Sequence, residues 1–168
     1  MLARCLHGIA PSALRVDLGK LNHFRLDFAG YSEQCRGALV TVVPAKDATV
    51  YGTIWKVNRQ ELDCIDKLET SGGRAYRALD QCVERANGSM MLCRMHQQTQ
   101  SPHNNNDPQM RWKTMPSLTY LDTIREGAKE SNLPEEYVKF LFNLSDNGRT
   151  TSLDNMLYMD AVLKKDTA

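Results

Sequence analysis

The chain has 168 residues, of which 42% are hydrophobic and 24% charged. That length suits one domain with a sizeable core, and that balance excludes a wholly disordered chain. A formal net charge of +1 gives no electrostatic footprint for a nucleic-acid partner, and no apolar run approaches the ~20 residues of a membrane-spanning helix.

The first sixteen residues hold Arg4 and Arg15 with Ser12 and no acid. We read them as a folded N-terminus of a cytoplasmic chain, because no cationic helical face builds up. Leu14–Leu18 and Phe24–Phe28 predict two short strands, broken near Gly19. In the second, Phe24, Leu26 and Phe28 alternate with Arg25 and Asp27, as a half-buried strand requires. A polar turn with Gly30 and Ser32 follows. Gly37–Val43 is a continuous apolar run, expected as a strand covered on both faces, and Pro44 and Asp47 punctuate it. Thr49–Val57 predicts another strand, with Tyr51, Thr53, Trp55 and Val57 on one face. Gly52 in its middle reads as a bulge or tight bend, or as a place where a ligand nears the backbone.

Asn58–Glu69 switches to helical spacing. Asn58 can cap, Glu61 completes a box, and Leu62, Ile65 and Leu68 line one side. Thr70–Gly73 ends the helix. Tyr76–Arg85 and Ser89–Gln97 predict a hairpin through Asn87-Gly88. Gln98–Gln109 is polar and Asn-rich and reads as an exposed loop. Ser117 caps a predicted helix to about Asn132, with Leu118, Leu121, Ile124 and Ala128 inside. Pro134 opens a second, with Glu135 and Glu136 at its positive end and Tyr137, Phe140, Leu141 and Leu144 toward the core. Leu153, Met156, Leu157 and Leu163 suggest a last helix. Strands first and helices later give an α+β fold, a small β-barrel with flanking helices, over residues 1–168 as one domain.

Cys5, Cys35, Cys64, Cys82 and Cys93 are odd in number and widely spaced, with no Cys-x-x-Cys, so they read as reduced thiols of an intracellular protein. His7, His23, His96 and His103 fall at no metal-ligand spacing. No phosphate loop, Ser elbow or zinc motif occurs. On physics alone the chemical candidate is Glu69, at a helix C-terminus before a Gly-rich loop. The negative dipole end and cover by the sheet would both favour a protonated carboxyl suited to proton transfer. A solvated Glu at a frayed helix end is the other reading.

Several segments together resemble the γ-glutamylcyclotransferase family: FRLDF at Phe24–Phe28, GALVT at Gly37–Thr41, YGTIWKV at Tyr51–Val57, IDKLETSGGRAY at Ile65–Tyr76, and above all YLDTIREGAKESNLPEEY at Tyr120–Tyr137. The resemblance implies a small barrel with flanking helices. It also implies a reaction needing neither metal nor cofactor, in which γ-glutamyl amino acids yield 5-oxoproline and a free amino acid. Glu69 then corresponds to the family's general acid/base, and Tyr76 and Tyr120 to substrate-contacting tyrosines. A small-molecule γ-glutamyl substrate and a homodimer are further implications. The family's first strand ends in Tyr-Gly-Ser-Asn, whose backbone N–H groups cradle the substrate, and this sequence contains no such motif. That departure leaves a second reading, a non-catalytic binding module on the same scaffold.

Overall fold

A computed structural model describes residues 8–70, 76–100 and 111–152. Two hairpins make its sheet. Strands β1 (Leu14–Ser32) and β2 (Gly37–Lys56) form a long antiparallel pair. Strands β3 (Tyr76–Arg85) and β4 (Met90–Gln98) form a shorter one. The break expected near Gly19 is absent, and the two strands expected either side of Pro44 are one. The ladder runs in regular register through Gly19, and a bulge between Asn22 and Phe24 lets the strand pass Pro44 and Asp47 opposite. The register shifts between Arg15 and Asp17, between Asn22 and Phe24, and between Ala29 and Tyr31. His23 and Gly30 take the left-handed conformation at the last two, and Asp47 does so opposite, so turn-like residues are absorbed without ending a strand. Gly52 is not one of these bulges; it lies across the ladder from Gly19.

Gly19 is where three strands meet, since it pairs with Gly52 on β2 and Arg85 on β3. A Cβ there would lie 2.7 Å from Val83 Cγ1 and 3.0 Å from Ile54 Cγ1. The β1–β3 ladder is only two pairs long, Gly19↔Arg85 and Lys20↔Glu84. Side chains reinforce it: Arg85 Nε reaches Asp17 Oδ2 at 2.8 Å, and Asn22 Nδ2 donates to Glu84 Oε2 at 3.0 Å.

The α+β fold is as expected, and only the closure of the barrel is corrected. Among the described residues the sheet is open, in the order β2-β1-β3-β4, with every pair antiparallel. The β1–β3 ladder stops at Lys20, and among the described residues no backbone ladder joins the β2 and β4 edges. Side chains bridge them instead. Gln97 Nε2 donates to Val42 O at 2.6 Å, and the Gln98 N–H donates to Thr41 Oγ1 at 3.1 Å.

Helix α1 (Arg59–Thr70) starts as the spacing predicts. Asn58 Oδ1 accepts the Glu61 N–H at 2.8 Å, and Glu61 Oε2 accepts the Asn58 N–H at 3.3 Å. The same carboxylate accepts the backbone N–H of Ser12, tying the N-terminal segment to the helix. Ala10, Ala13 and Ile65 form a small core there, against Trp55 and Val57. A 3-10 turn (Arg111–Thr114) leads to helices α2 (Leu118–Glu130) and α3 (Glu135–Phe142). Ala128, Tyr137 and Leu141 build a second core against Leu26, Val50 and Tyr51. Phe140, expected inside, is 43% exposed and stacks on the Tyr137 ring. Arg125 is buried, a placement the sequence did not signal. Its guanidinium donates to the carbonyls of Leu141, Phe142 and Leu144, closing the end of α3. The last predicted helix, from Leu153, lies outside the described residues.

Gly37 fixes where α2 begins. The Ala38 N–H donates to Met115 O at 2.9 Å, and a Cβ on Gly37 would sit 2.4 Å from the backbone N of Ser117. Gly37→Ala therefore lowers unfolding stability by about 1–3 kcal/mol, the usual cost of overpacking. Gly52→Ala, with open space around the added methyl, is neutral or slightly stabilising. Urea unfolding of the two variants checks the contrast.

Candidate active site

Three elements deliver the residues that the sequence singled out. Glu69 lies in the last turn of α1, one residue past the buried Leu68, and is itself half-buried. The helix is held there from outside, because Asp66 accepts from His96 at 2.8 Å and pairs with Arg94 at 3.5 Å, both on β4. Thr70 Oγ1 adds a bond to Asp66 O at 2.7 Å. Tyr76 is the first residue of β3. Tyr120 stands in the first turn of α2, where its N–H donates to the Ser117 cap at 3.4 Å.

The two tyrosines converge on one residue of β2. The Tyr76 hydroxyl donates to Val40 O at 2.8 Å, and the Val40 N–H donates to the Tyr120 hydroxyl at 3.3 Å. The polarity of both bonds is forced, because a carbonyl only accepts and an amide N–H only donates. Tyr76 has thus committed its proton to the backbone. Tyr120 has not, and among the described residues its proton meets no acceptor.

Burial pushes the Tyr120 hydroxyl well above the usual tyrosine range. Tyr76 adds to the rise, and Cys35 and Glu69 add less, while the Val40 N–H opposes it. Glu69 is therefore close enough for its charge to act on the Tyr120 oxygen. The result is an enclosed hydroxyl whose proton is held more firmly than that of an ordinary tyrosine, within electrostatic reach of the Glu69 carboxyl group. Such a pair can shuttle a proton and stabilise a developing oxyanion. Tyr137, in the second core, is raised to about 12, also mainly by burial.

The structure brings Glu69, Tyr76 and Tyr120 together across three elements. It also places Gln98, Val40 and Cys35 there, which sequence reasoning missed. Gln98 was read as the first residue of a loop, yet it ends β4 and is buried. Val40 acts through its backbone, which no side-chain pattern reports. Among the described residues no group of three or more His, Cys, Asp or Glu is placed to hold a metal ion.

The AIG2-like family profile matches residues 49–141. A γ-glutamylcyclotransferase of Bos taurus is 30% identical over 151 residues, covering 88% of this chain and 75% of the relative. The chain belongs to the γ-glutamylcyclotransferase family. A namesake from Mus musculus is 25% identical over 98% of this chain and 84% of its own length. A solved γ-glutamyl cyclotransferase superposes with a TM-score of 0.78 at 26% identity, covering 98% of this chain and 92% of that one. The family's α+β fold is therefore the fold of this chain, with the sheet left open.

Alkaline ultraviolet titration tests the electrostatics. Tyr137→Phe should delete an ionisation at about 12, and Tyr120→Phe one lying well above the usual tyrosine range, since free tyrosine titrates near 10. The unfolded chain loses these protons first, so folding stability falls as pH rises from about 10 through 12. Tyr137→Phe should flatten part of that fall.

Proposed function

We propose that the protein is a γ-glutamylcyclotransferase acting on γ-glutamyl amino acids. The neutral α-amine of the substrate attacks its own γ-carbonyl carbon. A C–N bond forms in a five-membered lactam and the original amide C–N bond breaks. Glu69, as carboxylate, takes the proton released by the attacking nitrogen and returns it to the departing amino nitrogen, leaving 5-oxoproline and a free amino acid. Attacking and attacked atoms share one chain, so proximity costs little, and the demand falls on the proton shuttle and on oxyanion stabilisation. Tyr120 supplies the oxyanion donor, and Tyr76 lines the substrate's position.

The observation that carries this reading is the Tyr120 hydroxyl. It is enclosed, it receives the Val40 N–H, and its own proton is uncommitted among the described residues within electrostatic reach of Glu69. The relatives' names support the same activity. The free thiols of Cys35, Cys64, Cys82 and Cys93 support a reducing compartment, the cytoplasm.

Release of 5-oxoproline from γ-glutamyl-alanine by the purified protein tests the proposal. Glu69→Gln should lower kcat by about 10²–10⁴, the scale of a lost general acid/base. Tyr120→Phe should lower it by about 10²–10³, the scale of one lost oxyanion donor. Undiminished turnover by Glu69→Gln removes that residue from the mechanism. Saturable binding of the dipeptide by wild-type protein without turnover would establish the non-catalytic module instead.

A further inference from the structure

After α3 the chain crosses back over the start of α2, and residues 147–151 bond to elements on both sides. Toward α2, the Asn147 N–H donates to Pro116 O at 2.9 Å and the Leu118 N–H donates to Arg149 O at 2.9 Å. The Thr151 N–H donates to Thr119 Oγ1 at 3.1 Å. Toward the turn that enters β2, the Arg36 guanidinium donates to Thr150 O at 2.9 Å, and Thr151 Oγ1 donates to Gln34 O at 2.9 Å.

The Asn147 side chain bridges the two sides. Its Nδ2 donates to Arg36 O at 2.9 Å and to Trp112 O at 3.0 Å. Its Oδ1 accepts the Arg149 N–H at 3.0 Å. Carbonyls at one end and an N–H at the other allow a single orientation of the amide. Its two protons serve the two short contacts; a third carbonyl, Met115 O at 3.4 Å, already holds the Ala38 N–H at 2.9 Å. Arg36 directly precedes β2, and Trp112 lies in the 3-10 turn that leads to α2. The same two elements meet again where the Val40 N–H donates to the Tyr120 hydroxyl. One bond between them, Ala38 to Met115, fixes a separation but leaves a hinge. A second, offset brace fixes the angle.

We infer that Asn147 is a positioning residue for the reaction, bracing the start of α2 against β2 so that the Tyr120 hydroxyl stays on the Val40 N–H. It acts through Tyr120 and not on the substrate. Its kinetic consequence rests on the cyclotransferase reading; its structural content does not.

The test uses Asn147→Asp in a cycle with Tyr120→Phe, with tyrosine labelled at ¹³Cζ. The Tyr120 signal is the one that Tyr120→Phe removes. Asn147→Asp keeps the shape and the Oδ1 acceptor but turns an oxygen toward the two carbonyls. The Tyr120 resonance should shift without any substrate. The value of kcat should fall about tenfold to a hundredfold, the scale of a misplaced catalytic group, with KM changed less than about twofold. In the Tyr120→Phe background the loss in kcat should be under about twofold, because the group it acts through is gone. Thr151→Val removes a different bond between the same segment and the same turn, and should leave both the resonance and kcat in place. An unmoved Tyr120 resonance in Asn147→Asp, an equal shift in Thr151→Val, or equal losses of kcat in both backgrounds overturn the inference. Should Asn147→Asp fail to fold, Asn147→Ser, too short to reach both carbonyls, must shift the same resonance. Should the wild-type protein release no 5-oxoproline, the cyclotransferase reading falls, and the resonance alone still decides the role of Asn147.

Discussion

Polar backbone at an unpaired sheet edge has to be satisfied by something, and in this fold side chains do it. The two hairpins share only two residue pairs of ladder, at Gly19 and Lys20. Farther along, β2 has no strand neighbour on its outer side, yet it is covered there. An amide or carbonyl buried without a partner is costly, about 1–3 kcal/mol in proteins. Tyr76, Tyr120, Gln97 and Gln98 meet that demand at Val40, Leu39 and Val42. The candidate site is a by-product of this arrangement: the hydroxyls that satisfy the backbone are the hydroxyls available to chemistry. Because the Val40 carbonyl takes the Tyr76 proton and its N–H donates to Tyr120, the two hydroxyls differ in polarity before any ligand arrives.

Support for Glu69 comes from farther out. The Asn58–Glu61 box, joined to Ser12, fixes where α1 begins. Ile65 and Leu68 fix its rotation, and Asp66, clamped by His96 and Arg94, fixes its last turn. A carboxyl group that must exchange protons with two nitrogens in succession needs that kind of restraint, since small displacements in proton transfer are expensive. Arg125 does comparable work for α3, and with Gly37 it sets the frame in which Tyr120 is held.

Local chemistry was legible in the sequence, and long-range closure was not. The capping box at Asn58, the Asn87-Gly88 hairpin and the Ser117 cap all depend on residues within a few positions of one another. Each appears where its spacing puts it, with Gly88 at φ 81° and Ser117 accepting from Tyr120. Glu69 stood out through its place at a helix end, and the tyrosines through resemblance. The bulges at His23 and Gly30 were hidden because turn-like residues inside a strand look like strand ends. Arg125 carried no local signal of burial, since an arginine on a helix is usually exposed. Gln98 followed a strand and opened a polar run, so nothing local separated it from the loop. Its partners, Ala29, Leu39 and Tyr76, are brought to it only by the curl of the sheet.

The short ladder at Gly19 also makes the second hairpin a lever. From Arg85 to Tyr76 the strand runs nine residues, roughly 30 Å at the usual rise, so each degree of pivot at the ladder moves the far end by about 0.5 Å. A pivot of about two degrees, roughly 1 Å at the tip, is enough to break a 2.8 Å contact. Rigidity at the ladder alone therefore could not hold Tyr76 in register, and the glutamines act as a latch at the tip of the arm, where mechanical advantage favours them most.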